Sequence, residues 1–395
     1  MSPQARREYL QAIHGRYHQF GKSAKSKILD EFCQICGHHR KHAIRLLNGP
    51  SPTAPRRKPG PAPRYDQAVL APLKAIWLAA DQPCSKRLVA ALAAWLPAWE
   101  ARQGTLSASV RRRLLGISPA SVDRLLRPVR ARIGGKGRTT TRPGSLLRQQ
   151  IPIRAEAWDT DRPGYLEADT VAHCGESFAG SFIWSITYTD IASGWTACRA
   201  TWNRGAQGVV EQTRRIEATL PFGILGFDCD NGSEFLNQHL VRYFAQRPAP
   251  VAFTRCRPYK KNDQAHVEQK NWTHVRQLLG YWRLDRPELV EPINRLYELR
   301  DRLNNFFIPN LKLLEKRREA GRTIKRYAPA LTPCQRLLAS PWVDPPTKHR
   351  LRREQYQIDP FTLKKQVEHQ LRLVFDRQRH LDGSTGPRPP TLSLK

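Results

Sequence analysis

The sequence predicts an α/β domain that lies between largely helical regions. Hydrophobic residues follow a helical spacing up to about residue 133, and short β-rich runs separated by turn signals begin near residue 165. The central block then reads three strands, helix, strand, helix, strand and helix, which is typical of a layered α/β domain. With 395 residues, the chain is long enough for about two to four domains.

Positive charge is concentrated at the two ends of the chain. The 66 Lys and Arg residues outnumber the 34 Asp and Glu residues, which gives a formal net charge of +32. The first 150 residues carry 28 basic and 7 acidic residues, a balance of +21, whereas the central block is near balance. Basic flanks around a balanced centre suit a polyanion such as double-stranded DNA. An anionic membrane surface is the rival partner, but we find no long basic amphipathic helix with an aromatic apolar face.

Composition also excludes several classes of protein. No uninterrupted apolar run approaches the roughly 18 residues of a membrane span. The N-terminal run MSPQARREYL lacks the apolar stretch of a secretory signal. Eight mostly unclustered Cys indicate reduced thiols rather than a disulfide scaffold. We therefore expect a cytoplasmic protein.

Residues 1–48 are predicted to form a helix-turn-helix DNA-binding domain. Within them, an apolar stripe ends at Gly37 and a second short helix rich in basic residues follows. This pattern matches a helix-turn-helix whose second helix enters the major groove. The alternative is an ordinary helical hairpin with a solvated basic face. The predicted DNA contacts are Arg40, Lys41 and Arg45.

A second helical region lies between two basic linkers. Residues 49–66 form a proline-rich linker, whose basic run suits either a minor groove or a semi-rigid spacer. Residues 67–133 are predicted to be helical and to end in a second helix-turn-helix that turns at Gly116. Residues 134–155 form the second linker. The predicted DNA contacts in these segments are Arg56, Arg57, Lys58, Arg124 and Arg127.

Residues 156–285 are predicted to form the α/β core. The IASG turn signal makes a hairpin of the second and third strands. The predicted strands are Tyr165–Val171, Phe182–Asp190, Trp195–Ala200, Ile224–Asp230 and Val251–Thr254. The predicted helices are Val209–Leu220, Asn237–Ala245 and about Gln264–Leu279.

Carboxylates stand at positions of this core where they could meet. Asp169 lies in the first strand, Asp228 and Asp230 end the fourth, and Glu268 lies in the last helix. In open α/β sheets, ligands gather where strands end. Three carboxylates suit Mg²⁺ or Mn²⁺, and two such ions can promote phosphoryl transfer. The alternative is a turn-forming Asp before Asn-Gly and a solvated Glu.

The residues around these carboxylates resemble a known family. The runs LEADT, DCDNGSEF and RPYKKNDQAHVEQKN, in this order, are similar to the catalytic core of retroviral-type integrases and bacterial insertion-sequence DDE transposases. The resemblance covers about residues 160–285. It implies a ribonuclease-H-like fold with a mixed five-stranded sheet flanked by helices, and Asp169, Asp230 and Glu268 as catalytic ligands of Mg²⁺ or Mn²⁺, as two ions.

Neighbouring acidic residues have other predicted roles. Asp228 shares a strand face with Asp230 and is an alternative or supporting ligand. We favour Asp230 because Asn-Gly-Ser follows it directly. Glu167 is interpreted as a polar residue of an edge strand, and Asp190 as a residue that closes the IASG turn.

Basic residues on either side of Glu268 are candidate DNA contacts. Lys270 and His274, with Gln277, fall on one predicted helical face, and Trp272, with Val275 and Leu279, on a face predicted to be core. The alternative is a solvated charged face. The candidate contacts are Lys260, Lys261, Lys270 and His274.

A zinc site in the N-terminal domain is a weaker alternative. His14 and His18 are spaced H-x₃-H, and Cys33 and Cys36 are spaced C-x₂-C. The interval between the pairs is short, and both Cys fit the apolar stripe, so we favour a structural role for them.

Together these observations predict a DNA transposase. It would bind the terminal inverted repeats of an insertion sequence, cleave phosphodiesters with divalent metal and transfer strands to target DNA, as a homodimer or higher oligomer in the bacterial nucleoid. Residues 286–395 are predicted to be a basic, mostly helical region that contacts DNA or a second copy. The alternatives are a sequence-specific DNA-binding regulator with an inactive core, or a ribonuclease-H-like DNA nuclease such as a junction resolvase.

Overall fold

The chain divides into two units, Met1–Arg64 and Tyr65–Lys395. The computed structural model describes eight segments of it. These are residues 1–50, 64–133, 161–203, 205–229, 238–248, 251–255, 270–319 and 322–383.

The first unit is a small three-helix arrangement. Its helices are α1 (Pro3–Gln19), α2 (Lys22–Cys36) and α3 (Arg40–Leu47). They pack around buried apolar side chains that include Leu29, Phe32 and Ala43. Gly37 ends α2 with a φ of +66°, a left-handed conformation that glycine adopts without strain. The predicted helical pair is therefore confirmed, and α1 is a helix that the sequence reading did not identify.

Two histidines of α1 hold the end of α3. His14 Nε2 lies 2.9 Å from the carbonyl oxygen of Gly49, and His18 Nε2 lies 2.9 Å from that of Leu47. Leu47 is the last residue of α3, where carbonyl acceptors lack partners within the helix, and Gly49 follows two residues later. Cys36 is buried in the core of the unit. Within the described segments no three His, Cys, Asp or Glu side chains are grouped to hold a metal.

A five-stranded mixed sheet forms the centre of the second unit. The strand order is β3-β2-β1-β4-β5, with β1–β2 and β2–β3 antiparallel and β1–β4 and β4–β5 parallel. The predicted mixed five-stranded sheet is thus confirmed. The strands are β1 (Tyr165–Ala172), β2 (Ile183–Asp190), β3 (Thr196–Trp202), β4 (Gly226–Cys229) and β5 (Ala252–Arg255).

Helices cover both faces of the sheet. On one face, Leu166, Ile186 and Phe227 pack with side chains of α8 (Ala206–Glu217) and α9 (Gln238–Ala245). The other face packs on two later helices. The first, α10, begins with a π-helical turn (Asn271–Arg276) and continues through Gln277–Leu279. The second, α11 (Val290–Phe307), follows a 3₁₀ turn at Pro287–Leu289. Side chains alternate between faces along a strand, so residues such as Asp169 and Val171 face α10 and α11.

The second helical region belongs to the same unit as the sheet. The Trp95 indole donates a 2.9 Å hydrogen bond to the carbonyl oxygen of Phe307, and Arg102 pairs with Asp359. The helices of residues 67–133 therefore pack with the C-terminal helices. They are α4 (Gln67–Ala79), α5 (Ser85–Gln103), α6 (Ala108–Leu115) and α7 (Pro119–Ile133). The C-terminal helices are α12 (Pro333–Ala339), α13 (Pro345–Gln357) and α14 (Pro360–Leu381).

Polar side chains of α11 bind the backbone of the edge strand β3. Asn305 accepts from the Thr196 amide at 3.0 Å and donates to the Thr196 carbonyl at 2.8 Å. Asn294 makes the same pair of bonds to Ala200, at 2.7 and 3.2 Å. Asp301 accepts from the Cys198 amide at 2.9 Å. The helix thus satisfies the backbone groups that an edge strand leaves unpaired.

The sequence predicted a helix in the basic segment after α11. The structure has a β-hairpin there instead. It consists of β6 (Leu313–Glu319) and β7 (Arg322–Tyr327), paired antiparallel. The register places Glu315 opposite Arg326, and opposite charges in such positions favour strand pairing. This charge pattern is compatible with a helix as well as with cross-strand pairs, and the structure has the cross-strand pairs. The C-terminal region is otherwise helical, as predicted.

None of the described helices combines the length and the hydropathy that a bilayer crossing needs.

Candidate active site

Asp169 occupies the middle of β1, on the face of the sheet that packs against α10. Its Oδ1 accepts a 2.7 Å hydrogen bond from the Thr170 amide, and its Oδ2 accepts from Asn271 Nδ2 at 2.5 Å. Arg276 Nη2 donates to the carbonyl oxygen of Ala172 at 3.1 Å. Helix α10 therefore runs beside β1, and its first residue fixes one oxygen of the Asp169 carboxylate.

Asp228 lies deeper in the same face. It is fully buried on β4, and its Oδ1 accepts a 2.7 Å hydrogen bond from Thr254 Oγ1 on β5. Its register partner on β1 is Glu167, which is 2% exposed. The interpretation of Glu167 as an edge-strand residue was wrong, because β1 is the central strand of the five.

Asp190 has the structural role predicted for it. Its carboxylate accepts from the Gly164 amide at 2.8 Å and from the Ser193 amide at 2.7 Å. Burial raises the pKa of Asp190, while the hydrogen bonds from Ser193 and Gly164 oppose the rise. Asp190 therefore closes the β2–β3 turn and ties it to the start of β1.

The other two predicted ligands, Asp230 and Glu268, lie outside the described residues. Described residues within three positions of each lie beside β1 near Asp169. Strand β4 ends at Cys229, which is the register partner of Ala168, the residue before Asp169. On the other side, the residue in contact with Asp169 is Asn271, three positions after Glu268.

The side of α10 that the sequence predicted to be exposed is not the side that is exposed in the structure. His274 is 6% exposed, and Trp272, predicted to be core, is 38% exposed. The reason is the π-helical turn over Asn271–Arg276, which adds a residue to the turn and shifts the side chains around the axis. A DNA contact by the buried His274 is therefore contradicted by its position.

Lys270 is also enclosed. Its Nζ lies 3.5 Å from the Gly194 carbonyl oxygen. Burial, followed by the positive charges of Arg87 and Arg336, lowers the pKa of Lys270 to about 7. Burial, followed by the charge of Lys270, lowers the pKa of His274. His274 is buried and Lys270 is partly buried, so the two residues do not form the open cationic face that the sequence suggested.

The remaining predicted DNA contacts that are described lie on exposed helix surfaces. Arg40, at the start of α3, pairs with Asp30 and donates a 3.0 Å hydrogen bond to Ser26 Oγ. Arg124 of α7 donates a 3.1 Å hydrogen bond to Ser121 Oγ. Three further contacts, Lys41, Arg45 and Arg127, are exposed. Those outside the described residues are Arg56, Arg57, Lys58, Lys260 and Lys261.

Asn271 is the residue of this site whose role the sequence reading missed. Its amide nitrogen holds Asp169, and its Oδ1 is buried without a partner among the described residues. The only available signal was an amide on a helix directly after the acidic motif. As noted, no metal-binding group is complete within the described part of the chain, which contains one of the three predicted ligands.

The chain is similar over most of its length to an uncharacterized bacterial protein. It is 41% identical over 339 residues, 85% of this chain and 96% of the relative, to the uncharacterized protein y4rM of Sinorhizobium fredii. No family model matches the chain.

The structural likenesses are low. The HTLV-2 integrase catalytic core domain in complex with magnesium aligns at a TM-score of 0.28 and 14% identity, over 41% of this chain and 94% of that one. A simian T-cell lymphotropic virus intasome, in complex with a PP2A regulatory subunit, aligns at 0.24 and 15%, over 45% of this chain and 57% of that one. Both TM-scores lie under 0.5, so the description of the fold rests on the strand order itself.

Proposed function

The chain belongs to the same family as protein y4rM of Sinorhizobium fredii, and we propose that it is a DDE-type DNA transposase. In this proposal it binds the terminal inverted repeats of an insertion sequence, hydrolyses a phosphodiester to free a 3′-hydroxyl, and joins that hydroxyl to target DNA. The observation that carries the proposal is the contact between Asp169, on the central strand, and Asn271, three residues after Glu268.

Covalent geometry supports the meeting of the three carboxylates. Consecutive Cα atoms are about 3.8 Å apart, so Asp230 follows within one such step of Cys229, the residue paired with Ala168. Glu268 is separated from Asn271 by three steps, at most about 11 Å. These short lengths of chain permit Asp230 and Glu268 to reach Asp169, as the proposal requires.

The donor set fits a divalent cation. Carboxylate oxygens are the ligands that Mg²⁺ and Mn²⁺ prefer, and Asp169 is held by two uncharged donors, the Thr170 amide and the Asn271 side chain. Asp169, Asp230 and Glu268 would hold the ions. When bound, a pair of such ions supplies charge stabilisation for the attacking and leaving oxygens of phosphoryl transfer.

The protein's own part in the reaction is positioning. Asn271 keeps the Asp169 carboxylate in one orientation, and the buried Asp228–Thr254 hydrogen bond ties β4 to β5 beside it. Orientation of this kind lowers the barrier because the reacting groups need not be arranged during the reaction. Hydrolysis and strand transfer by this route need no Ser or Tyr nucleophile.

Basic helices of both units are proposed to bind the DNA. In the first unit, Arg40, Lys41 and Arg45 lie on the short helix that follows the Gly37 turn. In the second unit, Arg124 and Arg127 are exposed on α7. Such side chains neutralise backbone phosphates or contact base edges, so binding should weaken with salt.

The test is a cleavage assay with the full-length protein, Mg²⁺ and a duplex carrying the ends of the element. Asp169→Asn, Asp230→Asn and Glu268→Gln should each abolish cleavage and leave DNA binding in a mobility-shift assay intact. Asp161→Asn is the matched control, because the Asp161 side chain is 89% exposed. Wild-type cleavage by any of the three variants would refute the proposal, and absence of Mg²⁺-dependent cleavage in the wild type would favour a DNA-binding regulator.

A further inference from the structure

A small cavity lies beside α10. It has a volume of about 220 Å³ and is lined by side chains from the α4–α5 loop, α5, α10 and α11. Three of these side chains are cationic, namely Arg87, Lys270 and Arg300. All lining residues belong to the second unit.

The positive charge around the cavity is not balanced by the described carboxylates. Asp81 is the one acidic residue among the described lining residues. It already pairs with two cations, Arg300 and Lys364. This leaves Arg87 and Lys270 without a carboxylate partner in the described segments. Arg87 and Lys270 are partly buried, and two partly desolvated cations without a carboxylate partner favour the binding of an anion between them.

Several donors at the cavity have no acceptor among the described residues. Arg87 uses Nε on the Pro309 carbonyl oxygen, which leaves both of its terminal nitrogens without a partner in the described part of the chain. Lys270 has one weak contact, 3.5 Å long, to the Gly194 carbonyl oxygen. Asn304, another lining residue, is 6% exposed, and its Nδ2 has no described partner. Each of these groups can only donate.

We propose that this cavity binds a phosphate-type oxyanion between Arg87 and Lys270. A guanidinium presents two parallel donors that match two oxygens of a phosphate, and an ammonium adds a point charge. The volume is sufficient for one phosphate group with a few waters. The group can come from the DNA backbone or from free inorganic phosphate, since both present the same oxygens.

Such an anion would connect three parts of the second unit. Arg87 comes from α5, Lys270 precedes α10, and Asn304 lies on α11. Binding at their meeting point would brace the helical region of residues 67–133 against the helix that follows Glu268. This inference does not depend on the proposed transposase activity.

The first arm of the test needs no DNA. The thermal midpoint of the full-length protein is measured against inorganic phosphate at constant ionic strength, with chloride as the balancing ion. In the wild type the midpoint should rise and saturate. In Arg87→Gln the phosphate concentration for half-saturation should increase about 10- to 100-fold, because a charge-assisted hydrogen bond is lost. Lys270→Gln should show a similar loss and serves as the independent variant if Arg87→Gln does not fold.

The matched control is Arg372→Gln, which removes one exposed cation from α14. It should saturate as the wild type does. Phosphate also stabilises proteins by exclusion from their surface, but that effect does not saturate and would be equal in all variants.

The second arm identifies the source of the anion. The salt dependence of DNA binding is measured for the wild type, Arg87→Gln and Arg372→Gln. A slope lower by about 1 in Arg87→Gln alone would assign a DNA backbone phosphate to the cavity. Saturable phosphate binding with an unchanged DNA slope would assign a free phosphate. The proposal would be overturned if the wild type shows no saturable phosphate binding and Arg87→Gln leaves the salt dependence of DNA binding unchanged.

Discussion

Asn271 Nδ2 lies 2.5 Å from Asp169 Oδ2, and the two residues are 102 positions apart in the chain. This contact joins the central strand of the sheet to the first turn of α10. It is the one described link between the two ends of the acidic motif, which begins at Asp169 and ends at Glu268. The proposed active site depends on it, because a carboxylate that is free to rotate cannot hold a fixed metal geometry.

Replacing Asn271 tests this positioning role directly. Asn271→Leu keeps the approximate shape and removes the hydrogen bond to Asp169. We expect DNA cleavage to fall about 10- to 100-fold, as for partners that orient metal ligands, with unchanged DNA affinity. The control is Gln207→Leu at an exposed position of α8. A wild-type cleavage rate in Asn271→Leu would show that the contact does not orient Asp169.

The α11 side chains that bind β3 should contribute strongly to stability. Asn305→Leu removes both partners of Thr196 and leaves a buried amide and carbonyl unpaired. We expect the free energy of unfolding in urea to fall by at least about 2 kcal/mol. Arg295→Leu, on the exposed side of the same helix, should change it by no more than about 0.5 kcal/mol. Equal effects of the two substitutions would contradict the role assigned to Asn305.

Buried His173 should make stability depend on pH. Burial, aided by the charge of Arg276, lowers the pKa of His173 to about 3. The ordinary value in an unfolded chain is about 6.5. The unfolded state therefore binds the proton more readily, so the stabilisation by neutral His173 is complete above about pH 6.5 and is lost as pH falls toward 3.

The measurement is the difference in free energy of unfolding between the wild type and His173→Gln. The glutamine amide can still reach Ser185 Oγ, which lies 2.7 Å from His173 Nε2. The wild type should lose stability relative to this variant as the pH is lowered from 7 to 4, by a few kcal/mol at most. Exposed His349→Gln provides the comparison. A difference that stays constant over this range would rule out the buried neutral state.

The first unit should fold without zinc. His14 and His18 bind backbone carbonyl oxygens at the end of α3, so a chelator should leave the circular dichroism and thermal unfolding of the full-length protein unchanged. His14→Ala should instead lower the stability of this unit by about 1 kcal/mol, because a carbonyl loses its donor. Stoichiometric zinc in the purified protein, released by Cys36→Ala, would contradict this assignment.

Local sequence signals predicted the bounds of the strands well, but they predicted the position of a strand within the sheet less well. The prediction for Tyr165–Val171 matches β1, and that for Val251–Thr254 matches β5 within one residue at each end. Alternating apolar residues and the IASG turn are local features, so they can be recognised in one sequence. The central position of β1 is not local, because it depends on pairing with β4, 54 or more residues later. The misplacement of Glu167 on an edge strand follows from this.

The sequence predicts acidic residues for the candidate site, but it could not predict the supporting groups around them. Asp169, Asp230 and Glu268 stand in a motif that a reader can identify, although Asp169 alone of the three is described. Asn271 acts through a contact across 102 positions, and no local pattern marks such a contact. The buried position of His274 arises from a π-helical turn, which a regular 3.6-residue periodicity cannot anticipate.

The pairing of α11 with β3 also limits how copies of this chain can join. A sheet is commonly extended when an outer strand accepts a strand from another molecule. With Asn294, Asp301 and Asn305 bound along β3, that side of the sheet is closed to a neighbour. Any multimer that brings two DNA ends together must therefore form through other surfaces. A search for its interface can leave out the sheet edge at β3.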